Sequence, residues 1–437
     1  MTESGEPRTL LEALIRQRQL TWDEAARFVA ASAKEHEARS ISLTPRHLAR
    51  LARRERVTDP QPATARALQY AFGHPVADLL APYSAAGDLV IVSSAPALVA
   101  AASDPDREVL AVAADRAQRF ALNLPGLSDL SMEQVVEGVR DLAMAYPARP
   151  LPEVLGHLVG AQSTIFDLLE RPQRPSHGRQ LYMLAGLVGG MLAKASHDLG
   201  DPSAALTQSR TAFLCAEQAD HHGLRAWISG LQSLVSYWAN RPHESIRYAQ
   251  RGAEWAAQAG STSQVWLAVS EARAWGQLGN VEQVRESLTR ADEAWSSVRP
   301  DDLDELGGLA TFTRSRQLYY AADAWAWLPG GSEAESWSSQ AVEAYRNTSA
   351  PDWAFGDAAG ASTDLAIARI GRGELDGARE AVAPVLTLPV EQRIGGIIKS
   401  AQRVHNALVT STLAADSVDL QEALESFTRT PLQSLPR

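Results

Sequence analysis

Read as a succession of apolar and polar positions, the first eighty residues break into short amphipathic segments separated by cap and turn signals. Leu10, Leu11, Leu14 and Ile15 form one helical stripe, which Leu20 ends. Thr21 followed three residues later by Glu24 is a capping box, and it opens a second helix in which Ala25, Phe28 and Val29 share a face. A polar stretch from Lys34 to Ser40 leads to Ser42 or Thr44 as an N-cap, with Pro45 at the first helical position. Leu48, Leu51 and Ala52 then face a core, while Arg46, His47, Arg50, Arg53 and Arg54 point elsewhere. Ala63 to Gly73 predicts a fourth helix and Val76 to Leu80 a short fifth. These elements make up a first domain, 1–83; the Gly, Ser and Pro residues around LVIV in 84–106 read as a linker or docking segment.

From Arg107 to the end, 107–437, the pattern is helical and rich in Ala and Trp. The turn signals Gly200-Asp201, Asn240-Arg241-Pro242, Gly279-Asn280 and Gly373-Glu374 each follow an apolar helix and precede a second one. The first three stand about 40 residues apart, the period of a helix-turn-helix repeat somewhat longer than the tetratricopeptide standard of about 34. Five or six such units fit between about residues 177 and 430, with two or three less regular helices ahead of them. A pair of this kind cannot bury its apolar face alone, so stacking is expected to build a continuous core and a concave surface.

Composition changes this picture in one respect. Apolar residues are 45% and charged residues 21% of the 437, as in ordinary folded proteins. The net charge of -11 argues against a polyanionic partner, but residues 1–83 hold 12 Lys/Arg against 10 Asp/Glu, and six arginines with one acid, Glu55, lie between Arg39 and Arg56. The acid excess therefore belongs to the rest of the chain, and a local basic face remains at the third helix. The charged start, from Glu3 to Arg18, does not resemble a secretory signal, and no apolar stretch reaches the roughly 20 residues of a bilayer span. Cys215 is the single cysteine, which excludes an internal disulfide. A cytoplasmic protein without a cofactor is expected.

Motifs for catalysis are weak. Gly371 to Gly377 imitates a phosphate loop, but no strand precedes it and its acidic residues would repel phosphate. His221-His222 has neither cysteine nor HExxH spacing beside it, so neither a metal site nor an enzyme is expected. Ten of the eleven tryptophans lie from Trp227 to Trp353, and most are expected to pack between helices. With the turn residues as register marks, the first helix of each unit would turn Lys194, His197, Ser229, Ser233, Ser236, Trp266, Arg273 and Gln277 toward the concave side, where a peptide, a small molecule or a protein would bind.

The stretches TWDEAARFVA, SLTPRHLARLARRE and PQPATARALQYAFGHPVADLL resemble the Cro/repressor-like family of helix-turn-helix regulators, the last through Pro62, Gly73, Pro75, Leu79 and Leu80. The connection AASAKEHEARSIS is longer than the family's usual turn. With LGDPSAALTQSRTA and RGELDGAREAVAPV added, the whole is similar to actinobacterial and peptide-responsive regulators of Gram-positive bacteria. The resemblance implies an all-α protein, a five-helix DNA-binding domain followed by a right-handed α-solenoid of tetratricopeptide-like pairs, and a homodimer on double-stranded DNA. It places Thr44, Arg46, His47 and Arg50 at base edges, and Arg39, Arg53, Arg54, Arg56 and Thr21 at phosphates. The rival reading is a scaffold or protein-partner adaptor whose helix-turn-helix is degenerate.

Overall fold

A computed structural model describes residues 8–17, 20–37, 43–53, 60–72, 76–80, 128–328 and 332–432. The protein is all-helical, with no strand among the described residues, and no described helix is long and apolar enough to cross a membrane. It divides into two compact units, Met1–Ser93 and Ser94–Arg437. The segment 84–106, read as a linker or docking strand, lies outside the described residues.

The first unit contains α1 (Leu10–Gln17), α2 (Trp22–Glu37), α3 (Pro45–Ala52), α4 (Pro62–Phe72) and α5 (Val76–Leu79). The polar stretch from Lys34 does not interrupt α2, which runs on to Glu37; alanine, lysine and glutamate all favour a helix. One core joins Leu11, Leu14 and Ile15 of α1 with Ala25 and Val29, Leu48 and Leu51, Leu68 and Phe72, and Leu79. Phe28 is 41% exposed and meets Phe72 at 5.8 Å in a T-shaped contact.

In the second unit α6 (Asp129–Ala145) and α7 (Leu151–Leu169) precede six further pairs. These are α8 (Pro175–Asp198) with α9 (Pro202–Gln218), α10 (His222–Trp238) with α11 (Pro242–Ala259), and α12 (Ser263–Gln277) with α13 (Val281–Ala294). They continue as α14 (Arg314–Trp325) with α15 (Ser332–Ala344), α16 (Phe355–Gly371) with α17 (Leu375–Leu386), and α18 (Gly395–Thr410) with α19 (Val418–Thr428). The turn signals fall inside pairs, where Gly200, Asn240, Gly279 and Gly373 all adopt left-handed φ. The next helix is often capped at once: Asp201 accepts from the Ala204 N–H at 2.9 Å, and Asn280 from the Gln283 N–H at 3.1 Å.

The two helices of a pair are buried differently. Every residue of α10 from Gly223 to Tyr237 is buried, whereas α11 buries a stripe, Ser245, Ile246, Ala249, Gly252 and Ala256. The first helices pack on one another in order from α8 to α18, and α18 comes back against α8. Such crossings need small residues: a Cβ on Gly276 would lie 2.3 Å from the Ala324 carbonyl oxygen. Apolar packing includes a large cluster reaching from Met132 to Ala368, a second from Phe355 to Phe427, and a small one of Ala226, Ala249, Ala256 and Leu267. Helix α16 belongs to the first two, giving Ala361 and Ala368 to the first and Leu365, Ala366 and Ile370 to the second.

Candidate functional site

On α3 the apolar and basic faces separate as a short amphipathic helix requires. Thr44 caps it, its Oγ1 accepting from the His47 N–H at 3.3 Å, and Pro45 begins the first turn. Leu48, Leu51 and Ala52 are buried, and Arg46, His47 and Arg50 are exposed. These three residues therefore share one accessible face with the Thr44 cap. Arg39, Arg54 and Arg56 lie outside the described residues.

Two residues expected at phosphates also have partners within the unit. Arg53 is 27% exposed, its Nε lies 3.5 Å from Glu12, and its guanidinium sits 5.6 Å from the Trp22 ring centroid, so it pins α1, α2 and α3 together. Burial opposes the charge of Glu12, yet the Arg8 backbone N–H, the Arg16 side chain and Arg53 together hold its carboxyl below the ordinary range. At the start of α2, Thr21 and Glu24 cap each other, with Thr21 Oγ1 donating to Glu24 at 2.7 Å and Thr21 N–H at 2.9 Å. Asp23 and Glu24 then place two carboxylates beside the amides that a phosphate would need.

The residues expected to line a solvated concave groove are mostly interior, because the first helices are surrounded. Ser229 donates to the Arg225 carbonyl at 2.8 Å and Ser233 pairs with Ser245 at 2.9 Å, where α10 packs on α11. Gln277 donates to Asn240 at 2.9 Å. Lys194 bonds both oxygens of Asp198, at 2.7 and 2.8 Å, and Tyr146 donates to the same carboxylate at 2.9 Å. His197 is buried, and burial together with the Lys194, Lys399 and Arg273 charges drives its pKa well down, which leaves it neutral. The Ser236 hydroxyl is buried without a hydrogen-bond partner. Trp266 donates to the Tyr320 hydroxyl at 3.3 Å and, with Lys194, Asp198, Arg316, Phe355 and Asp357, lines a cavity of about 60 Å³.

Arg273 leads to the most unusual chemistry of this unit. Its guanidinium lies 4.2 Å from the centroids of both Tyr237 and Tyr320 and pairs with Asp323, of which 1% is exposed. Asp323 is also paired with Arg403 of α18 and accepts from Tyr237 Oη at 2.7 Å. Burial alone would raise the Asp323 carboxyl; the Arg273 and Arg403 charges hold it below its ordinary value. Asp364, 1% exposed and 3.6 Å from Arg403, is pushed well up by burial and by the Asp323 charge. Sequence reasoning found Arg273 but missed Asp323, Asp364 and Arg403. The available signal was a lone carboxylate inside an apolar helical run, as in YYAADAWAW and GASTDLAIA.

No protein-family model and no curated protein matches the chain. Its chemistry is therefore read from its own residues. His221, Asp301 and Asp302 approach one another beside an open pocket of about 500 Å³. His221 Nδ1 accepts the Leu224 N–H at 3.0 Å as the cap of α10, and Nε2 then carries the proton toward Asp302 at 2.6 Å. Both ring nitrogens are thus engaged, and the imidazole offers no lone pair to a cation.

Proposed function

We propose that this chain is a sequence-specific DNA-binding transcription regulator, with a helix-turn-helix in its first unit and a tetratricopeptide-like α-solenoid that dimerises and senses a signal in its second. The observation that carries the reading is the face of α3 on which Arg46, His47 and Arg50 stand exposed beside the capped N-terminus at Thr44. A short helix entering the major groove needs those features: arginine pairs bidentately with guanine, histidine and threonine reach base edges, and the opposite face anchors the helix. The left-handed turns and the pairwise packing of α8 to α19 support the solenoid. A homodimer would present two such faces to half-sites about 34–36 Å apart.

Selection of bound fragments from genomic or random DNA by the purified full chain tests the reading. A shared inverted repeat should be recovered, and Arg46→Ala with Arg50→Ala should lose it while the protein stays folded. Each arginine is expected to account for about 1–3 kcal/mol of discrimination. Equal recovery by the double variant would leave the rival reading, an adaptor with a degenerate helix-turn-helix.

A further inference from the structure

Arg403 is the only charged side chain that α18 sends into the Asp323 cluster among the described residues, and the cluster's other members come from elsewhere: Tyr237 from α10, Asp323 from α14, Trp327 just after it, and Asp364 from α16. Its guanidinium lies 4.2 Å from the Trp327 ring centroid, and Trp327 in turn donates to Tyr237 Oη at 2.6 Å. Without Arg403, the Asp323 carboxylate would keep only Arg273 of its two paired cations, and the Asp364 carboxyl would lose the guanidinium 3.6 Å away. A further planar cation is what this enclosure calls for, since an indole face and paired carboxyls are the partners that a guanidinium prefers.

Even with Arg403 in place the fit is incomplete. Asp364 Oδ2, on a residue 1% exposed, has no hydrogen-bond partner, and neither do Arg403 Nη2 and Arg273 Nη2. Buried polar atoms left so are costly. Helix α18 is also weakly committed to this side of the unit. Its apolar residues Ile397, Ile398, Ala401, Val404 and Leu408 all belong to the second apolar cluster, with α16, α17 and α19. Toward α10 and α14 it offers polar contacts, Lys399 to the Trp238 carbonyl at 2.6 Å and Arg403 to Asp323.

We infer that Asp323, Asp364, Trp327 and Tyr237 form a guanidinium-binding site that Arg403 occupies in cis, and that a ligand bearing a guanidinium group takes its place and frees α18 from α8 and α10. This deepens the sensing half of the proposed function and rests on that half alone, so its test reads no DNA. An untethered guanidinium can turn its donors onto both Asp323 and Asp364, where Arg403 leaves its Nη2 unused, and this gives it the differential affinity that any such switch requires.

Two measurements on the full chain decide it. In Arg403→Ala, low millimolar guanidinium should raise the thermal midpoint saturably, against its general denaturing action, whereas sodium and urea should not. The rescue should vanish when Asp323→Asn is added. In the unaltered protein, which needs no variant to fold, arginine amide should speed hydrogen exchange in residues 395–410 by about tenfold, the factor for about 1.4 kcal/mol in an opening equilibrium, and lysine amide should not. The same exchange response to an arginine-containing peptide but not to arginine amide would assign the guanidinium to a peptide. An absence of rescue, or α18 exchange that neither arginine source changes, overturns the inference, whatever the DNA selection finds.

Discussion

In the first unit Arg46, His47 and Arg50 stand exposed on a helix whose opposite face is apolar, whereas in the second Arg273, Asp323, Asp364 and Arg403 are drawn in among helices that surround them. Size accounts for part of the contrast. The described helices of the first unit share one thin core and bury little charge beyond Glu12, while an array of pairs encloses its first helices and must pair whatever charge they carry. Exposed arginines are free to meet an external polyanion. Buried ones hold distant parts of their own chain together, Arg403 reaching Asp323 across 80 residues of sequence.

The comparison breaks most visibly by deleting one charge on each side. Asp323→Ala removes the carboxylate that pairs with both buried guanidiniums, Arg273 and Arg403, and should cost about 3–5 kcal/mol, read by denaturant unfolding through tryptophan fluorescence, which reports mainly the second unit. Arg46→Ala and Arg50→Ala should each stay within about 0.5 kcal/mol in the same assay. Similar losses on both sides would mean that the α3 arginines are structural too, and the functional reading of that face would fall.

A middle-sized effect sharpens the same contrast through pH. Burial and the neighbouring Asp304 and Asp302 charges raise Asp301 to about 6, against the lowering by its bond from the Asp304 N–H and by His221. A carboxyl whose folded pKa lies above its unfolded value of about 3.9 is favoured in its protonated form by folding, so it stabilises at low pH and loses that contribution as pH rises through about 4 to 6. Asp301→Asn should therefore match the parent near pH 4 and become more stable than it by about 2–3 kcal/mol above pH 6. A difference between the two proteins that does not change with pH would show that Asp301 is solvated like a surface acid.

How much of this was legible in the sequence follows from the range of each interaction. Caps and turns are local, so Thr21 with Glu24, Thr44 with Pro45, and the left-handed Gly200, Asn240, Gly279 and Gly373 could be read from neighbouring residues. The helical pattern of 128–328 and 332–432 could likewise be read from its period. Whether a first helix borders an open groove depends instead on what returns to cover it, and the return of α18 against α8 leaves no local mark. Ser229 and Ser233 therefore carried the polarity of a lining residue while serving as close-packing positions, small enough for α10 to approach α11. Asp323 and Arg403 were invisible as a pair for the same reason, although Asp323 stands out alone as a charge in an apolar run.

The smallest predicted effect tests whether Thr44 belongs to both sides of the comparison. It is exposed, it caps α3 through the His47 N–H, and it stands beside the arginines proposed to read DNA. Thr44→Ala removes the cap and should cost about 1 kcal/mol of stability in the first unit. That loss alone would weaken DNA binding without proving contact. Thr44→Asp separates the two roles, because aspartate caps as well as threonine and its charge is favourable at a helix N-terminus, so the unit should keep its stability. Near a phosphate or an acceptor edge the same charge is repelled. A folded Thr44→Asp protein that no longer retains the selected DNA would place Thr44 at the interface; one that retains it fully would restrict Thr44 to the cap and move the contact surface along α3 toward Arg46 and Arg50.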